Sequence, residues 1–307
     1  MFFVFNVFPT YQPDRRCRSG GKVGAIATLF RAWTDKPSMT ILQAIILGLL
    51  QGLTEFLPVS SSGHLVLGQY LLQVENPDML SFDVFVHFGT LISVCIIFRK
   101  DIGQIILSLW NAVRTNSMRA AYETNEYVRL GLAIAVASIP AAVIGLTYRD
   151  EIAEAFRDPK LVSVNLVVTG LLLFLTRFPK AVQGKRIGLV TGFIIGIAQS
   201  VAILPGISRS GATISTAIYL RLSPRLAARF SFLLSIPVIA GAALLESKTV
   251  IRQGMEIGFG SFIVGMLAAA LMGYVAIKIL LRIIESGRFS WFAFYCFAIG
   301  IAGLLAL

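Results

Sequence analysis

Charge is what this chain has least of. Only 14% of its 307 residues are Asp, Glu, Lys or Arg, while 56% are hydrophobic and the mean hydropathy is +0.78. Soluble domains carry about 25% charged residues, so a soluble globular fold is excluded and a polytopic membrane protein remains. Acidic residues are the scarcer sign, 16 against 27 basic, leaving a net charge of +11. In a membrane protein such an excess collects in cytoplasmic loops for topological reasons, so no nucleic-acid partner is called for. Cysteine is sparse as well: Cys17, Cys95 and Cys296 are odd in number, widely spaced and set in apolar or basic sequence. Neither a disulfide framework nor a cysteine metal cluster is indicated.

Long apolar sequence is what the chain has in abundance. Windows able to cross a hydrocarbon core of about 30 Å run near 80–98, 129–148, 160–177, 227–245, 257–281 and 289–307. They predict an all-α polytopic membrane protein with about six transmembrane helices. Shorter apolar segments at 40–57, 62–73, 187–204 and 210–220 come in two pairs, each interrupted by Pro and Ser. Such pairs suit re-entrant helix-loop-helix hairpins, whose non-helical apex is tolerated at membrane depth only where protein or a wet cavity covers it. The small residues Gly131, Ala133, Ala135, Ala137, Ala141 and Ala142 read as helix-packing positions.

The two hairpins are copies of one another. An ungapped offset of 148 superposes Gly48 on Gly196, Gln51 on Gln199, Ser60 on Ser208, Ser62 on Ser210 and Gly63 on Gly211. Loop charges then set orientation. Arg99, Lys100, Arg114, Arg119 and Arg129 mark one cytoplasmic loop, Arg177, Lys180, Lys185 and Arg186 a second, and Arg282 and Arg288 a third. The connections at 74–79 and 149–159 are neutral to acidic and that at 246–256 is balanced, so all three fall outside. Threading the spans through this scheme sends the first hairpin in from outside and the second from the cytoplasm. The duplication is therefore an inverted-topology repeat, with halves at about 40–176 and 187–307, whose apices should meet near the midplane. Residues 1–38 carry six basic side chains on the side that this scheme makes external, and they lack a clean signal-peptide pattern. They are expected to be a disordered or mis-assigned extension to a membrane domain over 39–307, with Met39 as the start.

Each apex is followed by a half-helix whose first N–H groups and positive dipole end suit an anion. Ser60, Ser61, Ser62, Ser208 and Ser210 add hydroxyls, Gly63 and Gly211 allow close approach of backbone, and Arg209 supplies a cation. An arginine at membrane depth needs a negative partner. The expected partner is an exogenous anion, with phosphate the natural choice; the alternative is a structural pairing with Glu55. Glu55 lies four residues after Gln51 on one face of the first half-helix, and His64 opens the next. An acid and a histidine flanking a donor-rich cradle are what phosphoryl transfer requires. His87, inside a full span, reads equally as a cavity residue or as a backbone contact.

The run Gln51-Gly-Leu-Thr-Glu55-Phe-Leu-Pro-Val-Ser-Ser-Ser-Gly-His64, taken with Pro205-Gly-Ile-Ser-Arg209-Ser-Gly-Ala-Thr213, closely resembles the bacitracin-resistance type of undecaprenyl-diphosphate phosphatase. The likeness covers about 40–307. It implies an inner-membrane hydrolase that removes the terminal phosphate of the C55 isoprenyl diphosphate, recycling the lipid carrier for peptidoglycan and other envelope glycans. It also implies a site open to the periplasmic side and dependence on a divalent cation, Mg²⁺ or Ca²⁺. Catalytic duties then fall on Glu55, Ser61, His64 and Arg209, and diphosphate binding on Ser60, Ser62, Gly63, Ser208, Ser210, Gly211 and Thr213. The metal position falls on Glu55 with Gln51, where many members carry Glu, which puts a two-carboxylate metal site in question. Ser61 activated by His64, His64 itself and a water are all chemically sound nucleophiles, with Ser61 favoured. A transporter of lipid phosphate or anions built on the same inverted repeat is the rival function. A homodimer is left open.

Overall fold

The computed structural model describes residues 39–72, 74, 79–155, 158–253 and 259–306. The extension at 1–38 lies outside them. The described chain is helical: α1 (Ile41–Phe56), α2 (Ser61–Leu71), α3 (Met79–Ile97), α4 (Arg99–Arg114), α5 (Met118–Thr124), α6 (Glu126–Thr147), α7 (Arg149–Ala155), α8 (Pro159–Leu175), α9 (Leu189–Val201), α10 (Arg209–Tyr219), α11 (Pro224–Gln253), α12 (Phe259–Glu285) and α13 (Phe292–Ala306). Local chemistry sets several starts. Thr40 and Gln43 form a reciprocal capping box at α1, and Asn125 and Asp158 accept from the first free N–H groups of α6 and α8.

The six expected spans correspond to α3, α6, α8, α11, α12 and α13. Among the described residues, four stretches are long and apolar enough to cross a membrane alone: Glu126–Thr147, Pro224–Leu244, Gly260–Glu285 and Phe289–Ala306. α3 qualifies together with α4, from which it is bent by 76°. α8, at 17 residues, sits at the short end of what can span. The two hairpins are α1–α2 and α9–α10, within three residues of the expected bounds.

One expectation is corrected here. The segment 99–129 read as a basic loop, but it folds as α4 and α5. In α4, Ile102 and Ile105 pack against the core while Ile106, Trp110 and Val113 remain exposed, and Arg99, Lys100 and Arg114 lie at the two ends. That is an amphipathic helix, whose alternation of charge and apolar side chains averages to an unremarkable hydropathy. Arg229, near the start of α11, ties this layer together by pairing with Asp101 of α4 and Glu126 of α6.

Helix pairing follows the repeat. α1 packs on α12 and α9 on α6, so each hairpin lies on the corresponding long helix of the other half; α8 packs on α13. Glycine makes this approach close. A Cβ on Gly48 would lie 2.3 Å from the Gly265 carbonyl oxygen, and one on Gly196 would lie 2.4 Å from that of Ala137. Gly48 and Gly52 thus face Gly265 and Ala269, while Gly192 and Gly196 face Ala133 and Ala137. Small residues four apart replace a hydrophobic driving force that lipid does not supply. The expected packing role is borne out for Ala133 and Ala137. Gly48→Leu should therefore lower the thermal midpoint in detergent, by about 1–3 kcal/mol of overpacking or more. Gly103→Ala, whose Cβ would meet nothing within 4 Å, should not lower it and should raise it slightly, since Ala is the better helix former within α4.

Candidate active site

Polar residues inside the spans hold the two breaks. At the second apex Gly206 adopts φ +87°, and a Cβ there would lie 2.3 Å from the Val162 carbonyl oxygen. Asn165 of α8 donates to the Pro205 carbonyl at 2.7 Å, and Thr169 donates to that of Gly206 at 3.1 Å while accepting from the Ser208 N–H. At the first apex the Cys296 thiol of α13 donates to the Pro58 carbonyl. Backbone that leaves the helix at this depth must be satisfied by protein, and α8 and α13 do so. Asn165, Thr169, Tyr295 and Cys296 were missed from sequence; the signal was polar residues inside apolar windows.

The apices meet, as the inverted repeat led us to expect. Ser210 donates to the Leu57 carbonyl at 3.2 Å, and a Cβ on Gly211 would stand 3.3 Å from Pro58 Cβ. At the junction lies Glu55, 2% exposed. Its Oε1 accepts from Arg209 Nη2 at 2.7 Å; its Oε2 accepts from Ser61 Oγ at 2.9 Å and from Gln51 Nε2 at 3.0 Å. His87 Nε2 stands 3.7 Å from Oε2, its Nδ1 meeting the Asp83 carbonyl at 2.6 Å. His87, an even choice on sequence, is the imidazole beside the carboxylate.

Two readings change. Arg209 was expected to find its negative charge in an exogenous anion; in the structure one arm of it pairs with Glu55, which the meeting of the apices brings within reach. Only one arm of the guanidinium is used: Nη1 is buried and has no hydrogen-bond partner among the described residues. His64 was expected at the cradle as the group that activates Ser61, but the first turn of α2 directs it to α13. Its Nε2 meets Tyr295 Oη at 2.5 Å with the rings stacked, and its Nδ1 meets the Ser60 carbonyl at 2.9 Å. Ser60 has φ 67°, a strained value for a side-chain-bearing residue, and this contact braces it.

The remaining motif hydroxyls are engaged within the protein. Ser60 meets Ser62 at 3.3 Å, and Ser208 caps α10 by accepting from the Gly211 N–H. Thr213 donates to the Arg209 carbonyl at 2.8 Å and meets Ser231 at 2.6 Å. Gly63 has only Val162 within reach of an added Cβ, at 3.9 Å.

A cavity of about 350 Å³ opens on the Glu55–Arg209 pair. Gln199 and Ser138 line its polar end; Ala141, Ala142, Gly145 and Leu146 of α6 and Val238, Gly241, Ala242 and Leu244 of α11 make an apolar arm. Ala141 and Ala142, read as packing positions, thus form wall. The shape suits an anionic head with an apolar tail.

The residues present do not compose a divalent-cation site on their own. Both Glu55 oxygens already accept from protein donors, and Gln51 turns its NH₂ towards the carboxylate. No group of three His, Cys, Asp or Glu able to hold a metal occurs among the described residues. His87 adds an imidazole, a poor ligand for hard Mg²⁺ or Ca²⁺.

Comparison with known proteins gives the relationship. Residues 44–302 match the family described as bacitracin resistance protein BacA. The undecaprenyl-diphosphatase of Salinibacter ruber is 42% identical over 88% of this chain and 100% of its own length. Those of Desulfosudis oleivorans and Halothermothrix orenii are each 44% identical, covering 85% and 86% of this chain and 97% and 96% of their own. With its hairpins, its buried Glu55–Arg209 pair and this extent of likeness, the chain belongs to the BacA family.

Proposed function

We infer that this chain hydrolyses undecaprenyl diphosphate to undecaprenyl phosphate and inorganic phosphate. That reaction recycles the lipid carrier for peptidoglycan and envelope glycans and confers bacitracin resistance. One observation carries the chemical reading: a carboxylate bonded at once to a serine hydroxyl and to an arginine with an unused arm, with carboxylate and arginine both lining a largely apolar cavity. An anion carrier would need the arginine but has no use for the serine–carboxylate contact.

In this mechanism Arg209 Nη1 takes the terminal phosphoryl group, with the polyprenyl chain along the arm between α6 and α11. Glu55 Oε2 removes the Ser61 proton as Ser61 Oγ attacks the terminal phosphorus. The bond to the bridging oxygen breaks, and undecaprenyl phosphate leaves with the electron pair. Glu55 passes the proton it took from Ser61 to the departing undecaprenyl phosphate. Water then cleaves the phosphoserine, giving one proton to Glu55, which returns it to Ser61 Oγ as inorganic phosphate departs. Arg209 bears the equatorial charge in both steps. His64 braces the strained Ser60 turn through its Nδ1 contact and so fixes where α2 presents Ser61; it is a positioning residue. A divalent cation bound with the diphosphate would offset part of its charge; the nearest protein groups, Glu55 and Gln51, are bonded to each other and Glu55 also to Arg209 and Ser61.

Leu146 and Leu244, which line the cavity, lie a few residues before the acidic stretch 149–159 and the charge-balanced stretch 246–256. By the loop-charge argument those stretches are external. The reading therefore places the site on the periplasmic side of the bacterial inner membrane.

Phosphate release in detergent, reported per folded protein, tests the assignment. Arg209→Lys should lose about 10- to 100-fold in kcat/KM, because an ammonium cannot serve Glu55 and a phosphoryl group with a planar fork. Glu55→Gln should lose about 100-fold or more, as an amide is no base. Full activity in either variant would refute the proposed roles. The apolar arm has its own test. Gly241 lines it, and a Cβ there meets nothing within 4 Å. Gly241→Phe should fold normally yet raise KM for undecaprenyl diphosphate about tenfold, equivalent to about 1.4 kcal/mol of lost binding.

A further inference from the structure

Gln199, in the last turn of α9, is 1% exposed. Neither its Nε2 nor its Oε1 has a hydrogen-bond partner among the described residues. A buried amide with both ends unsatisfied weakens a fold, and natural proteins carry few of them. This one lines the same cavity as Glu55 and Arg209, where Arg209 Nη1 is likewise without a partner among the described residues. The duplication shows how the position differs from its counterpart. Gln51, its equivalent in the first hairpin, gives its NH₂ to Glu55 one turn later. The residue one turn after Gln199 is Ile203, so the amide has no carboxylate on its own helix to bond.

We propose that Gln199 is a diphosphate-binding residue. Its Nε2 donates to a non-bridging phosphoryl oxygen beside Arg209 Nη1, and its Oε1 accepts from a protonated phosphoryl oxygen or from the water held with it. An amide suits this place because it offers a donor and an acceptor without adding charge next to the Glu55–Arg209 pair. The inference rests on the diphosphate reading of the cavity and adds a ligand contact to it.

Stability and binding should move apart. Gln199→Leu keeps roughly the side-chain volume while removing both polar atoms. The probe is a non-hydrolysable methylene-diphosphonate analogue of farnesyl diphosphate, with thermal unfolding in detergent measured with and without it. Without the analogue, the variant should melt at or above the wild-type midpoint, because an unsatisfied amide has gone. With it, the stabilisation that follows from binding should shrink, corresponding to about tenfold weaker affinity, and KM for undecaprenyl diphosphate should rise by a similar factor. Gln199→Met repeats the comparison with an unbranched side chain. If both variants melt below wild type, the amide serves the fold and the proposal is overturned. Analogue affinity equal to wild type in either variant also overturns it. A wild-type protein that gains no stability from the analogue would instead sink the diphosphate reading of the cavity, so the two failures are distinguishable.

Discussion

A carboxylate buried at membrane depth must be neutralised and fully bonded, and Glu55 is the point where this chain meets that demand. Its partners come from three separate places: Gln51 from its own helix, Ser61 from across the first apex, and Arg209 from the second half of the molecule. His87 approaches from a full span. Removing one member of a buried ion pair typically costs about 3–5 kcal/mol, so this contact joins the halves as well as setting up chemistry. It also keeps Arg209 in place between turnovers. With one arm on Glu55, the guanidinium is aligned before any phosphate arrives, and alignment of this sort is what electrostatic catalysis uses.

The two apices could not survive in lipid without the helices around them. α8 satisfies the second through Asn165 and Thr169, and α13 supports the first through Cys296 and, by way of His64, Tyr295. α8 and α13 are the last long helices of the two halves and pack against each other. The same element thus does the same work in each copy with different side chains. Exact symmetry is given up only where the chemistry differs: the first copy carries Glu55 and Ser61, the second Arg209 and an unspent Gln199.

Much of this was legible in the residues because it rests on local pattern. Pro and Ser within apolar runs located both hairpins, and the ungapped repeat paired their apices. What escaped depends on distance in sequence. α4 was hidden because charge and apolar side chains average out along an amphipathic helix. The partner of His64 lies 231 residues away, and no periodicity points to Tyr295. The Glu55–Arg209 pair joins segments 154 residues apart, and a count of carboxylates within the motifs carries no information on reach. Gln199 was visible as the copy of Gln51, but that its amide goes unbonded is a property of packing alone.

The central claim is that Ser61, activated by Glu55, attacks the terminal phosphorus while His64 only holds the turn. It is tested most directly by rapid acid quenching of the protein during turnover of undecaprenyl diphosphate labelled in its terminal phosphate, followed by analysis of label on the protein. The account predicts label that survives acid, is released by base, vanishes in Ser61→Ala and persists in His64→Ala. Label that is lost in acid, survives base and vanishes in His64→Ala would contradict it.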